Sequence, residues 1–369
     1  MNRTNRRNWL KTIALGGGFS LLDSATLLWA KPNTYPLNYS GLVKLNANEN
    51  PFGPSAMVRQ AIQNELDLAC RYPSAYLSEL TQKIASKEEI DPKCVVITGG
   101  STEGLKASGL LFGSNGREII AADPTFQALL TYAENLGSYV HREPLTSDFK
   151  HDLEAMEKRI NQNTGLIFIC NPNNPTGTLL DSDKLIDFIK SNENRSVIFS
   201  DEAYYDYISL PEYPSMIDLV REGRNVIVSK TFSKVYGLAG MRIGYLLARP
   251  DISDRLKKVV MANTNVLAII AAKSAIDDSE FYKFSIEKNE LAKNAIYSGL
   301  EKLSIPYITS HTNFVFFKSG LSVSELNNRL LKKNIQIGRP FPPLTEWARV
   351  STGTLESVNQ FLIGLRQVL

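Results

Sequence analysis

Six short runs of nearly uninterrupted apolar residues constrain this chain more than any other feature. They fall at 94–98 (CVVIT), 118–122 (EIIAA), 166–170 (LIFIC), 197–200 (VIFS), 225–229 (NVIVS) and 243–248 (IGYLLA). None alternates apolar with polar residues, so each reads as a strand covered on both faces. Helical patterns separate them. Phe126, Leu129, Leu130 and Ala133 fall in phase on one helical face, and 181–190 and 215–222 read as further helices. Strand and helix in alternation imply an α/β fold, a doubly wound and mostly parallel sheet. With 369 residues there is ample chain to bury such a sheet.

After residue 248 the pattern changes. Residues 251–303 read as largely helical, with 281–303 as one long helix. A strand at 313–318, a helix at 323–332, a strand-like run at 347–351 and a helix at 356–368 complete a smaller α+β unit. No repeat or low-complexity linker separates the two units, which predicts a shared interface.

The first thirty residues differ from the rest. Arg6 and Arg7 precede Trp9 and Leu10, and a modest apolar run follows, loosened by Gly16, Gly17 and Gly18. This pattern resembles a twin-arginine export signal and predicts a periplasmic protein. The alternative is the basic N-terminus of a cytoplasmic protein. The run is shorter than the roughly 20 apolar residues of a membrane span, so no stable span is expected. A net charge of +3, with no Lys/Arg block beyond the N-terminal region, gives no support to nucleic-acid binding. Cys70, Cys94 and Cys170, like His141, His151 and His311, are too dispersed for a disulfide framework or a metal site.

Five separated segments carry polar residues where the apolar runs end. Gly99-Gly100-Ser101-Thr102-Glu103-Gly104 lies between a strand and a helix. Its glycines let backbone approach an anion at the helix N-terminus, or simply make the turn. Asn171-Pro172-Asn173-Asn174-Pro175-Thr176-Gly177 follows another strand, and three asparagines exceed what a turn requires. Asp201 emerges from a buried run with Tyr204 three residues on. It is either a helix cap or a carboxylate that addresses a heteroaromatic ring. Lys230 and Lys234 leave the next strand into a glycine-rich bend that ends at Arg242. A desolvated lysine there has the lowered pKa that a Schiff-base nucleophile needs. Arg349, in the small unit, presents a guanidinium suited to a carboxylate.

Together with Leu45-Asn46-Ala47-Asn48-Glu49-Asn50-Pro51-Phe52-Gly53-Pro54 and Arg71-Tyr72-Pro73, these segments resemble the fold-type I aminotransferases, which use pyridoxal 5′-phosphate (PLP). The resemblance runs over about 42–368 and is specific to the histidinol-phosphate aminotransferase branch. It implies a large domain with a mostly parallel seven-stranded sheet and a small α+β C-terminal domain. With the export-signal region at 1–30, the chain then divides into a segment 31–70 packing on the active site and small domain, the large PLP-binding domain 71–262 and the small domain 263–369.

The resemblance also implies residue roles. Lys234, with Arg242 eight residues on, is the lysine that holds PLP and moves a proton between substrate Cα and C4′ of the cofactor; Lys230 is its rival. Ser101, Thr102, Thr231 and Arg242 surround the phosphate. Asp201 keeps the pyridine nitrogen protonated. Asn174 and Tyr204 bond the ring's phenolic oxygen, and Phe126 stacks on its face or serves the core. Tyr72 reaches the partner subunit's phosphate, implying a homodimer with shared active sites. Arg349 clamps the α-carboxylate or another substrate anion. Arg339 stands for an arginine that binds substrate phosphate, although here Gly338 precedes it and a Pro-rich turn follows, so a different pocket is expected. The small-molecule partners are an amino donor, either an amino acid or histidinol phosphate, and a 2-oxo acid. A decarboxylase, lyase or amino-acid oxidase would use the same apparatus, and a non-catalytic PLP-binding module is a third possibility.

Overall fold

The computed structural model describes residues 41–261 and 263–369. The paired arginines and the rest of the export-signal reading lie outside the described residues. The described chain opens with a short strand, β1 (Val43–Leu45), and then enters the large sheet.

That sheet has seven strands: β2 (Val95–Thr98), β3 (Glu118–Asp123), β4 (Tyr139–Pro144), β5 (Thr164–Cys170), β6 (Val197–Asp201), β7 (Val226–Thr231) and β8 (Gly244–Ala248). Their order is β2-β8-β7-β6-β5-β3-β4. All neighbouring pairs are parallel except those of β8, which runs against both β2 and β7. The apolar runs form the sheet because both faces are covered. Ile120, Ile167, Ile169, Ile198, Val226 and Val228 enter one buried cluster. Ile119, Ala121, Leu166, Phe168, Phe199 and Ile227 enter the other. Each fully buried aliphatic or aromatic side chain contributes about 1.5–3 kcal/mol.

β4 is the strand that lies outside the six apolar runs. It is an edge strand, and only Val140 and Glu143 of its six residues are buried, with Tyr139 64% exposed. The helix after β3 spans Ala128–Asn135 and buries Leu129, Leu130 and Ala133 as their spacing predicts, but Phe126 precedes its first turn.

The C-terminal unit begins with a 24-residue helix, Ser279–Lys302, whose N-terminus is capped by Asp278 accepting from the Phe281 N–H. A three-stranded antiparallel sheet follows, built from β9 (Tyr307–Ile308), β10 (Phe314–Lys318) and, later in the chain, β12 (Trp347–Ser351). Between them, β11 (Ile335–Ile337) pairs in parallel with β1, Val43 opposite Ile335 and Leu45 opposite Ile337. A third apolar cluster therefore contains Val43 and Leu45 together with Ile296, Leu300, Val315, Phe317, Val350 and Phe361. The N-terminal segment is thus a structural part of this unit. The helix Val266–Asp277 packs the other way, placing Ala268, Ile269, Ala271 and Ala272 in a cluster of the large sheet.

Candidate active site

Parallel strands present their carboxyl ends at one edge, where the backbone turns away and side chains lose their cover. Cys170 lies opposite Asp201 and Asp201 opposite Ser229, so β5 and β6 end level and β7 runs two residues further. Beyond that edge is a cavity of about 270 Å³. Ser101, Thr102, Phe126, Asn174, Asp201, Tyr204, Lys234, Arg242 and Arg349 line it, joined by Asn48, Glu49 and Ser233.

Asp201 is 2% exposed, and its carboxylate accepts one long hydrogen bond, from the Ala203 N–H at 3.3 Å. Burial pushes its pKa up to about 7. A carboxyl in that state calls for a cationic donor. Tyr204 is also buried. Its phenol oxygen accepts from Asn48 Nδ2 at 2.9 Å and from Asn174 Nδ2 at 3.3 Å, and burial raises its pKa. Arg349 reaches into the site from β12. One nitrogen donates to Asn174 Oδ1 at 2.6 Å and another to the Asn46 carbonyl at 2.8 Å, while its buried Nε has no partner among the described residues. Burial lowers its pKa to about 10.

The two candidate lysines separate cleanly. Lys230, still within β7, is 7% exposed, lies 2.9 Å from Glu202 Oε2 and sits over the Tyr205 ring at 3.7 Å. Lys234 instead lines the cavity. Its Nζ donates to the Asn48 carbonyl at 3.0 Å and lies 5.3 Å from the Tyr204 ring centroid. Burial, followed by the positive charge of Arg349, lowers its pKa to about 8.

At the other end of the cavity the helix Ser101–Gly113 begins with Gly100 at φ +86°, and no side chain caps it. Its first amides are therefore available to an anion, with the helix dipole in favour. A Cβ on Gly100 would lie 2.6 Å from Arg242 Nη2, so glycine is what lets that guanidinium cross the helix start. Arg242 itself has left-handed backbone, φ 55° and ψ 66°.

Three of the expected residues lie elsewhere. Thr231 is not on the cavity wall, and its hydroxyl accepts from the Ser233 N–H at 3.1 Å. Tyr72 is 89% exposed and away from this cavity. Arg339 is exposed outside the cavity, with its guanidinium 4.5 Å from the Phe341 ring. Arg349 lies 4.9 Å from the same ring. The preceding Gly338 also has a physical reason, since a Cβ there would come within 2.7 Å of the Arg349 carbonyl. Residue-by-residue reading missed Asn48, Ser233 and Glu49 as site residues. The Asn46-to-Pro51 motif was the available signal for Asn48 and Glu49, but it does not say which side chains face inward.

These features fit PLP. An uncapped helix start beside a guanidinium suits a phosphate, a buried carboxyl without a cation suits a pyridinium nitrogen, and a desolvated amine suits covalent attachment.

Comparisons with known proteins point the same way. Residues 40–364 match the family "Aminotransferase class I and II". The chain is 39% identical over 337 residues to the histidinol-phosphate aminotransferase of Caldicellulosiruptor saccharolyticus, covering 90% of this chain and 93% of that one. It is 37% identical to the histidinol-phosphate aminotransferase of Moorella thermoacetica, covering 90% and 87%. Among solved structures, the histidinol-phosphate aminotransferase of Sinorhizobium meliloti in complex with pyridoxal-5′-phosphate superposes with a TM-score of 0.82 at 25% identity, covering 88% of this chain and 90% of that one.

Proposed function

Because this chain belongs to the class I and II aminotransferases and is a PLP-dependent enzyme, we propose that it transfers the amino group of histidinol phosphate to a 2-oxo acid by ping-pong chemistry. Bound PLP supplies an electron sink that draws charge from the substrate Cα as it loses its proton. The remaining work falls to the chain's own residues. Lys234 Nζ would hold the cofactor and, once freed by the amino substrate, carry a proton between the substrate Cα and C4′ of the cofactor. Asp201 keeps a proton on the ring nitrogen. Asn174 and Tyr204 address the phenolic oxygen, and Phe126 covers a face of the ring. Ser101, Thr102 and Arg242 take the phosphate, with Ser233 in the place expected for Thr231.

One observation carries the substrate reading. Arg349 and Arg339 lie 4.9 Å and 4.5 Å from the ring of Phe341, so one guanidinium lines the cavity and the second lies just outside it. Two cations in that relation suit an amino substrate with a distal anion, as the relatives' names imply. An exposed ion pair is worth about 0–1 kcal/mol, so Arg339→Ala should lower kcat/KM for histidinol phosphate by up to about fivefold. The same change should leave a neutral amino acid unaffected. The assay compares histidinol phosphate, glutamate and a neutral amino acid, each with several 2-oxo acids, and follows keto acid, ammonia and peroxide in parallel. Good turnover of amino acids with none of histidinol phosphate would overturn the substrate reading. Ammonia or peroxide as the main product would favour a lyase or an oxidase.

Two further parts of the proposal concern the assembly and its location. The exposure of Tyr72, outside its own cavity, supports its reaching the phosphate of a second copy, and native mass should show a dimer. Arg6 and Arg7 support export of the folded enzyme. Retention in the cytoplasm of an Arg6→Lys, Arg7→Lys double variant, with the wild type in the periplasm, is the expected result.

A further inference from the structure

Asn48 makes five polar contacts, more than any single role in the site requires. It is 1% exposed and sits in left-handed backbone, φ 53°, which asparagine tolerates better than most residues. Its carbonyl accepts from Lys234 Nζ at 3.0 Å and from Asn313 Nδ2 at 2.9 Å. Its N–H donates to Ser351 Oγ at 2.8 Å, and Ser351 Oγ donates to Asn48 Oδ1 at 2.9 Å. Its Nδ2 then donates to the Tyr204 oxygen at 2.9 Å.

These contacts have a definite polarity. A backbone N–H can only donate, so Ser351 Oγ accepts it and spends its own proton on Asn48 Oδ1. The Asn48 amide is thereby oriented with its NH₂ group towards Tyr204. Asn174 is oriented in the same sense, because its Oδ1 accepts from Arg349. Tyr204 Oη therefore receives two N–H donors, and among the described residues no acceptor takes its own proton. That proton is left for whatever occupies the cavity.

We infer that Asn48, oriented by Ser351, is a positioning residue that makes the Tyr204 phenol an obligate proton donor to the cofactor's phenolic oxygen. The inference rests on the PLP reading of the site. Of the two amides, Asn48 is the closer to the phenol, and it also ties the Lys234 amine to the same residue through its carbonyl. The N-terminal segment and β12 thus set the hydrogen-bond direction of a large-domain side chain. The charged and titratable groups facing Tyr204 are Arg349, Cys170 and Asp201, with Lys234 at 5.3 Å. The substitutions below alter none of them.

The test reads the pH midpoint of the visible absorption change of the PLP-loaded protein. A phenol that donates to the ring oxygen draws charge from it. When donation weakens, the Lys234 nitrogen held by the cofactor keeps its proton to higher pH, so the midpoint rises. Asn48→Gly retains the left-handed backbone and the carbonyl while deleting the amide. Ser351→Ala keeps the amide and removes what orients it. Each should raise the midpoint by up to about one pH unit, the scale of one hydrogen bond to a charged acceptor. Ser351→Thr should restore it, and in a Tyr204→Phe background neither substitution should move it further. An unmoved midpoint in both single variants, or a shift that persists with Tyr204→Phe, overturns the inference. If Asn48→Gly fails to fold, Ser351→Ala decides. PLP uptake on Lys234 with unmoved midpoints sinks this inference alone, whereas a wild type that takes up no PLP on Lys234 sinks the reading beneath it as well.

Discussion

Two acid–lysine sets leave the ends of β6 and β7, and they have opposite designs. Glu202 and Lys230 form a closed pair at 2.9 Å, with the ammonium also over the Tyr205 ring. Burial works against that charge, but Glu202, Asp206 and Glu88 outweigh it, and the pKa of Lys230 goes up. Asp201 and Lys234, one residue before and four residues after them in sequence, face the cavity without forming such a pair. Burial pushes the first up to about 7, and burial with Arg349 pulls the second down to about 8. Among the described residues no carboxylate closes on Lys234, which leaves its buried amine suited to the nucleophilic role proposed for it. The same strand ends therefore supply one closed ion pair and one open set that suits the proposed chemistry.

The largest expected effect tests that division directly. Lys234→Ala should cut turnover by roughly a thousandfold or more, within the range for loss of a positioned acid–base group. Borohydride reduction of the wild type should place the pyridoxyl group on a peptide at Lys234. Lys230→Met should retain that labelling but destabilise the fold by about 3–5 kcal/mol, because Glu202 is left buried without its cation. Thermal unfolding and peptide mapping read the two outcomes. Labelling at Lys230, or a dead but fully stable Lys230→Met, would break the comparison.

Asp201 provides the next effect. Its folded pKa of about 7 stands above the ordinary 3.8, so the cofactor-free fold binds that proton more tightly than the unfolded chain does. Stability conferred by the protonated form is complete below pH 3.8 and is lost as pH rises to about 7. Asp201→Asn has no proton to lose. The cofactor-free variant should therefore melt higher than wild type above pH 7, with the gain vanishing in acid. Its turnover with PLP should fall about a hundredfold or more, because a neutral amide does not hold the pyridinium proton. A variant less stable than wild type at pH 8 would show that Asp201 has a cation in the cofactor-free chain after all.

Much of this was legible in the sequence, and the gaps have physical causes. Strands buried on both faces, such as β5 and β7, show themselves by composition alone. The edge strand β4 does not, because only Val140 and Glu143 of it are buried, and β1 and β11 are three residues each, too short to carry a period. Asp201, Lys234 and Arg242 were legible because their positions at strand ends and in the following bend fix their direction. Asn48 was not, since its partners Tyr204 and Ser351 lie 156 and 303 residues away. Ser233 took the wall position expected of Thr231, because the chain bends immediately after β7. Phe126 fell in helical phase yet precedes its helix, so a period of 3.6 alone did not separate wall from core.

The smallest expected effects sharpen the comparison by asking why Lys234 titrates low. In the cofactor-free chain, labelling of Lys234 by an amine-directed reagent should rise with a midpoint near pH 8, while Lys230 stays unlabelled until the fold opens. Only the neutral amine reacts, so a lowered pKa means labelling at lower pH. Three causes lower it, burial first, then Arg349, and Arg242 least. Arg349→Met removes the charge and keeps much of the bulk. The midpoint should then rise by less than about one unit, because a single neighbouring cation at a partly solvated site acts on that scale. It should stop well short of the ordinary 10.5, because the burial remains. A return to 10.5 would mean that charge, not burial, sets the amine's state. The contrast with Lys230 would then reduce to which neighbours each lysine has. A partial rise keeps both burial and charge: Lys230 is buried and ion-paired with a carboxylate, whereas Lys234 is buried and has no carboxylate ion pair among the described residues.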